Sequence, residues 1–145
     1  MKAYTITVLK DGDPVQIDLR LTLKGQLALR KRFSESALAT IFSGMDDTTK
    51  LLAVFSEALN FKNNENVITD AEELYDAIVD SDLGGISGFR EILVGIARAS
   101  GLLSEKEAAA VNAAAEDVTA DMLSAFGGDD EDDEKNPELP RLSMT

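Results

Sequence analysis

The sequence predicts an α+β fold that is mostly α: an N-terminal β-hairpin, about six helices in a compact bundle, and a disordered acidic C-terminal tail. Three observations predict it. Apolar residues alternate with polar ones through the first 21 residues, around a turn-rich centre. From Thr22 onward the apolar spacing becomes helical, punctuated by helix-start residues and glycines. From Asp129 to Glu134 every residue is acidic.

In 4–9, Tyr4, Ile6 and Val8 alternate with Thr5 and Thr7, and in 15–21 Val15, Ile17, Leu19 and Leu21 alternate with Gln16, Asp18 and Arg20. A period of two places all these apolar side chains on one face of each strand. Asp11-Gly12-Asp13-Pro14 between them supplies turn chemistry, so the strands form a hairpin. A lone hairpin is marginal in water, so its apolar face must lie on the helices.

Thr22 is placed to cap a short helix ending near Phe33, and a second helix runs from about Ser36 to Phe42 before Gly44. Asp46 or Asp47 caps 48–60, where Leu51, Leu52, Phe55, Ala58 and Leu59 form one stripe. A polar loop covers Asn60 to Asn66. Thr69 with Glu72 reads as a capping box, followed by Leu74, Tyr75, Ile78 and Val79. After Gly84-Gly85 a helix over about 87–99 turns Phe89, Ile92, Leu93 and Ile96 inward. Ser104 with Glu107 is a second capping box, opening an Ala-rich helix to about Phe126. Residues 1–102 are thus expected to form the hairpin plus helical domain, 103–126 the C-terminal helix and 127–145 the tail. Self-repulsion and a lack of apolar residues predict disorder in that tail.

Composition restricts function. The 145 residues include no Cys and no His. That removes thiolate chemistry, cysteine-based zinc and iron–sulfur sites, and the usual general base near neutral pH. No enzymatic activity and no cofactor are expected. No apolar run approaches bilayer length, and the N-terminus lacks a signal-peptide stretch, so a soluble intracellular protein is expected. The net charge is −13, unevenly spread. Residues 1–32 hold seven Lys/Arg against three Asp/Glu, while the other 113 hold seven against 24. An acidic body disfavours nucleic acid and anionic membranes. Arg30, Lys31 and Arg32 form either the solvated face of a helix or a contact for an acidic protein surface, self-association included.

Two motifs come near to chemistry. Asp80 to Glu91 resembles an EF-hand loop, with acids at positions one, three and twelve and glycine at six. Positions five and nine are glycine, Ser87 stands where the apolar residue belongs, and three carboxylates are few for calcium. The alternative is a Gly-rich turn between helices. Asp80-Ser81-Asp82-Leu83 is also similar to the Asp-Ser-Leu attachment site of acyl carrier proteins, but an extra Asp separates Ser81 from Leu83. Glu72, Glu73 and Asp76 near a helix start are explained by the macrodipole.

The order of elements carries a wider likeness. A hairpin ending Ile17-Asp-Leu-Arg-Leu-Thr-Leu-Lys24 is followed by a basic helix with Leu27-Ala-Leu-Arg-Lys-Arg-Phe33. Then come Leu51-Leu-Ala-Val-Phe-Ser-Glu-Ala-Leu59, Ile68-Thr-Asp-Ala-Glu-Glu-Leu-Tyr-Asp76 and a Gly-interrupted helix ending Ile96-Ala-Arg-Ala-Ser-Gly101. Over residues 4–102 this resembles the tail assembly chaperones of long-tailed phages and prophages of Gram-positive bacteria. The resemblance implies binding of the tape measure protein, which is kept soluble, and recruitment of tail tube protein around it. It also implies a place in the host cytoplasm and absence from the mature virion. Such proteins occur in two lengths through a frameshift, and which form this chain represents is open. The rival readings are a small acidic protein-binding module, a nucleic-acid-mimicking decoy and a calcium-binding helical protein.

Ala108, Val111, Ala115, Val118, Met122 and Ala125 recur in a narrow heptad-like seam. It either docks on the domain or receives a partner. Val111, Val118 and Met122 are the partner-binding candidates.

Overall fold

In the computed structural model, residues 2–114 are described. The chain divides into two units, Met1–Asn112 and Ala113–Thr145, and the account below concerns the first. Strand β1 (Tyr4–Lys10) pairs antiparallel with β2 (Asp13–Leu19), in the register Tyr4↔Leu19, Ile6↔Ile17 and Val8↔Val15. This register stacks the alternating apolar residues, so Ile6, Val8, Ile17 and Leu19 are all buried. The turn is shorter than the four residues expected. Only Asp11 and Gly12 connect the strands, with φ of 54° and 85°, the two positive values a type I′ turn requires. Asp13 and Pro14 therefore belong to β2, where Pro14 faces Leu9 at a pair whose backbone groups point away from the partner strand. Pro14 has no N–H to waste there. β2 also ends two residues early, at Leu19, because Arg20 and Leu21 bond to helices instead.

Six helices follow among the described residues: α1 (Leu23–Phe33), α2 (Ala37–Ser43), α3 (Thr48–Leu59), α4 (Ala71–Asp80), α5 (Gly85–Ala99) and α6, described over 105–114. Thr22, Ser36 and Asp47 cap the first three by accepting from Gly25, Ala39 and Lys50 N–H groups. α4 corrects the expected box. Its cap is Asp70, which accepts from Glu73 N–H at 3.0 Å, and Thr69 lies outside the helix. A carboxylate at this position also meets the helix dipole, which a threonine hydroxyl does not. The Ser104–Glu107 box forms as expected: Ser104 N–H donates to Glu107 Oε1 (2.8 Å) and Glu107 N–H to Ser104 Oγ (3.1 Å). Those bonds hold the Glu107 carboxyl below its usual pKa. The disordered tail expected over 127–145 lies outside the described residues.

α3 is the centre of the bundle, touching α1, α2, α4 and β2, with Val54, Phe55, Ala58 and Leu59 fully buried. α5 crosses β1, where the Tyr4 ring lies on Gly95; any Cβ there would overlap the ring. The sheet is tied to the helical side at a few outward backbone groups and just beyond the end of β2. Asp18 N–H donates to Asn66 Oδ1 (2.7 Å), and Asn66 Nδ2 donates to the carbonyls of Asp18 (2.8 Å) and Leu59 (3.2 Å). Arg20 N–H donates to Ala58 O (3.0 Å), Leu21 N–H to Ser100 Oγ (2.8 Å), and Leu9 N–H to Ser81 Oγ (2.8 Å). Two ion pairs tie neighbouring elements: Lys10 with Glu73 (2.6 Å) and Lys50 with Glu35 (3.0 Å). Buried Thr40 also donates to Glu35.

Replacing Asn66 by Ala strands both backbone groups of Asp18 and is expected to cost about 2 kcal/mol in urea unfolding. The Lys50 hydrogen bond holds the Glu35 carboxyl below its ordinary value of 4.5. Its contribution is thus full above that pH and lost as pH falls through the lower folded value. The difference in melting temperature between the wild type and Glu35→Gln should therefore be small, constant near neutrality and vanish in acid.

Candidate functional site

Most large apolar side chains of the first unit are buried, so the exposed ones are informative. Met45, Val79, Leu83 and Ile86 are exposed around the junction of α4 and α5, and Leu9 lies beside it through the bond of its N–H to Ser81. Three local features build this corner. Gly44 and Met45 end α2 ahead of the Asp47 cap, turning Met45 outward. Ser81 to Gly84 make a tight turn with Asp82 at φ 59°, and Gly85 at 79° starts α5. Gly88 then lets α5 pass against the Leu83 backbone, since a Cβ at Gly88 would collide with the Leu83 carbonyl.

The corner holds a groove of about 240 Å³. Met45, Leu51, Tyr75, Ile86 and Phe89 supply its apolar lining, and Asp46 and Asp47 are also part of it. Tyr75 stacks on Phe89 with centroids 5.1 Å apart, and Phe89 leans on buried Phe55 at 6.4 Å. The aromatic part of the lining is therefore held by the core. A second concavity of about 290 Å³ is lined by Tyr4, Ile6, Leu83, Glu91 and Ile92. Burial, and then the neighbouring Glu91, push the Tyr4 phenol above its usual pKa. Exposed Asp46 lines the first groove, and exposed Asp82 and Glu91 line the second, so each concavity has carboxylate in its lining.

The stretch from Asp80 to Glu91 folds as the Gly-rich turn between helices and not as an EF-hand loop. α4 runs through Asp80 and α5 begins at Gly85, two residues before the expected start, leaving four residues between the helices. Glu91 lies well inside α5, and no group of three or more acidic side chains among the described residues is arranged to hold a metal. Ser81 accepts the Leu9 N–H bond and so anchors β1. Glu72 and Glu73 occupy the first turn of α4, as the dipole explanation requires. Of the seam residues, Ala108 is buried and Val111 half-buried; Val118 and Met122 lie outside the described residues.

Other positions are prominent only in three dimensions. Arg90, the penultimate residue of the EF-hand-like run, is 3% exposed, and its Nε and Nη1 find no hydrogen-bond partner. Met45 carries no sequence signal beyond standing between Gly44 and two acids. No helix among the described residues is long and apolar enough to cross a membrane. Comparison with protein-family models, curated proteins and solved structures finds no match to this chain.

Calcium at millimolar concentration is expected to leave the melting temperature unchanged, because the ligands at Asp80 and Glu91 are held apart on two helices. An upward shift that Asp80→Asn removes would show that the turn can open into a site.

Proposed function

We propose that this protein is a tail assembly chaperone that binds apolar helical segments of a tape measure protein. It keeps that protein soluble in the host cytoplasm, supports tube assembly and is left out of the mature virion. The observation that carries this reading is the exposed groove of Met45, Tyr75, Ile86 and Phe89 on a rigid helical corner. A helix that displays apolar residues at three- and four-residue spacing can lay one face into such a groove. The chemistry asked of the protein is binding alone, which suits a chain without His or Cys. The carboxylates in its lining support the reading as well. They select helices flanked by Lys or Arg and repel other acidic copies of the chaperone. The likeness of residues 4–102 to such chaperones supplies the identity of the partner.

The test is co-expression with the tape measure protein encoded in the same gene cluster. Ile86→Asp and Met45→Asp alter exposed side chains, so stability should change by less than about 0.5 kcal/mol. Capture of the tape measure protein should fall at least about tenfold in the double variant. Full capture by a folded double variant would overturn the groove as the docking site. If Val111→Asp with Val118→Asp abolishes capture instead, the C-terminal seam is the binding surface.

A further inference from the structure

We propose that the outward face of α1 is a second docking surface, for a helical segment that carries apolar side chains flanked by carboxylates. α1 buries Gly25 and Leu29 and turns the opposite side to solvent. Leu23 is 70% exposed and Leu27 is 56% exposed, one turn apart on the same ridge. Helical spacing carries this ridge onward to Arg30 and Lys31, with Lys24 and Ala28 alongside. Two uncovered leucines are thus bordered by cations, over a length of about 12 Å, or two helical turns.

The charges are unusual in their setting. α1 contains Lys24, Arg30, Lys31 and Arg32 and no acidic residue. None of the four enters an ion pair among the described residues, although the chain as a whole carries −13. Helix stability explains part of this, because Arg30, Lys31 and Arg32 sit in the last turn, where the dipole favours cations. It does not explain Lys24, which stands in the first turn where the dipole opposes it and α1 itself has no acid. Glu57 of α3 lies beside Gly25 there but makes no ion pair with Lys24 among the described residues. Nor does it explain two leucines left in water at the centre of the cationic face.

The occupant follows from charge and shape together. Nucleic acid is disfavoured: the centre of the face is aliphatic, the exposed side of α1 has no aromatic residue to stack a base, and the remaining chain repels phosphate. An acidic amphipathic helix satisfies both parts, covering Leu23 and Leu27 while its carboxylates meet Lys24, Arg30 and Lys31. The α4–α5 groove has the opposite charge in its lining, so a segment suited to one surface is repelled by the other.

The experiment uses the full chain and two heptad peptides with leucine at the a and d positions, one with glutamate at e and g, the other with lysine. Fluorescence anisotropy should show the glutamate peptide binding, with affinity falling as salt rises. Lys24→Glu with Lys31→Glu should weaken it by about tenfold or more, and Leu27→Asp should abolish it. Leu23→Asp serves as a second apolar variant should Leu27→Asp lower the melting temperature. Binding of the lysine peptide, directed at the other surface, should ignore all these substitutions. The proposal is overturned if the glutamate peptide fails to bind, if its binding survives the α1 substitutions, or if single-stranded RNA displaces it from α1. It is equally overturned if the chain alone shows concentration-dependent association that Lys24→Glu with Lys31→Glu dissolves, which would make α1 a contact between copies.

Discussion

A two-stranded sheet has no interior strand, and in this fold the outward backbone groups of Leu9 and Asp18, with Arg20 and Leu21 just beyond β2, are met by hydrogen bonds from the helical part of the chain. Asn66 bonds both the N–H and the carbonyl of Asp18, Ser100 accepts from Leu21, Ser81 accepts from Leu9, and the Ala58 carbonyl accepts from Arg20. The part-buried bonds at Asp18 and Leu21 replace water that the packed helices exclude, and would otherwise leave polar groups poorly satisfied. The bonds also set where the hairpin lies, because they act at fixed points along α3, α4 and α5 and the loop between α3 and α4. With the hairpin so placed, its apolar face reaches the core and the Tyr4 ring meets Gly95.

The same bonds connect the fold to the candidate groove. Ser81 ends α4 and holds Leu9, so the turn from Ser81 to Gly84 is tied to β1 on one side. On the other side Gly88 admits the Leu83 backbone, and the Tyr75–Phe89 stack rests on Phe55 in the core. The exposed apolar residues of the corner are therefore mounted on a rigid support. That is the condition for a surface that binds without first paying for its own ordering.

Charge is segregated with equal consistency. The exposed cations of α1 surround two leucines, while the corner of α4 and α5 presents an apolar groove among carboxylates. Arg90 stands apart from both. Burial of a guanidinium with two nitrogens unbonded among the described residues is costly.

Legibility in the sequence followed chain separation. The hairpin, the helices and the caps at Thr22 and Ser104 were readable, with Asp47 one of two candidates, because period and capping relate residues within a few positions of each other. Local competition produced the errors. Asp70 displaced Thr69 as cap, Asp11-Gly12 closed the turn without Asp13-Pro14, and Gly85 began α5 early, each a choice between adjacent residues of similar propensity. The groove was not readable, since Met45, Tyr75 and Ile86 come from three separate segments. Nor were the roles of Asn66, Ser81 and Ser100, whose partners lie 48, 72 and 79 residues away. By itself the sequence determined the α+β class, the order of elements, the faces they bury and the lack of His and Cys chemistry. Only the tertiary structure decided which polar side chains tie the sheet to the helices and which apolar ones stay in water, because both depend on contacts that no local period encodes.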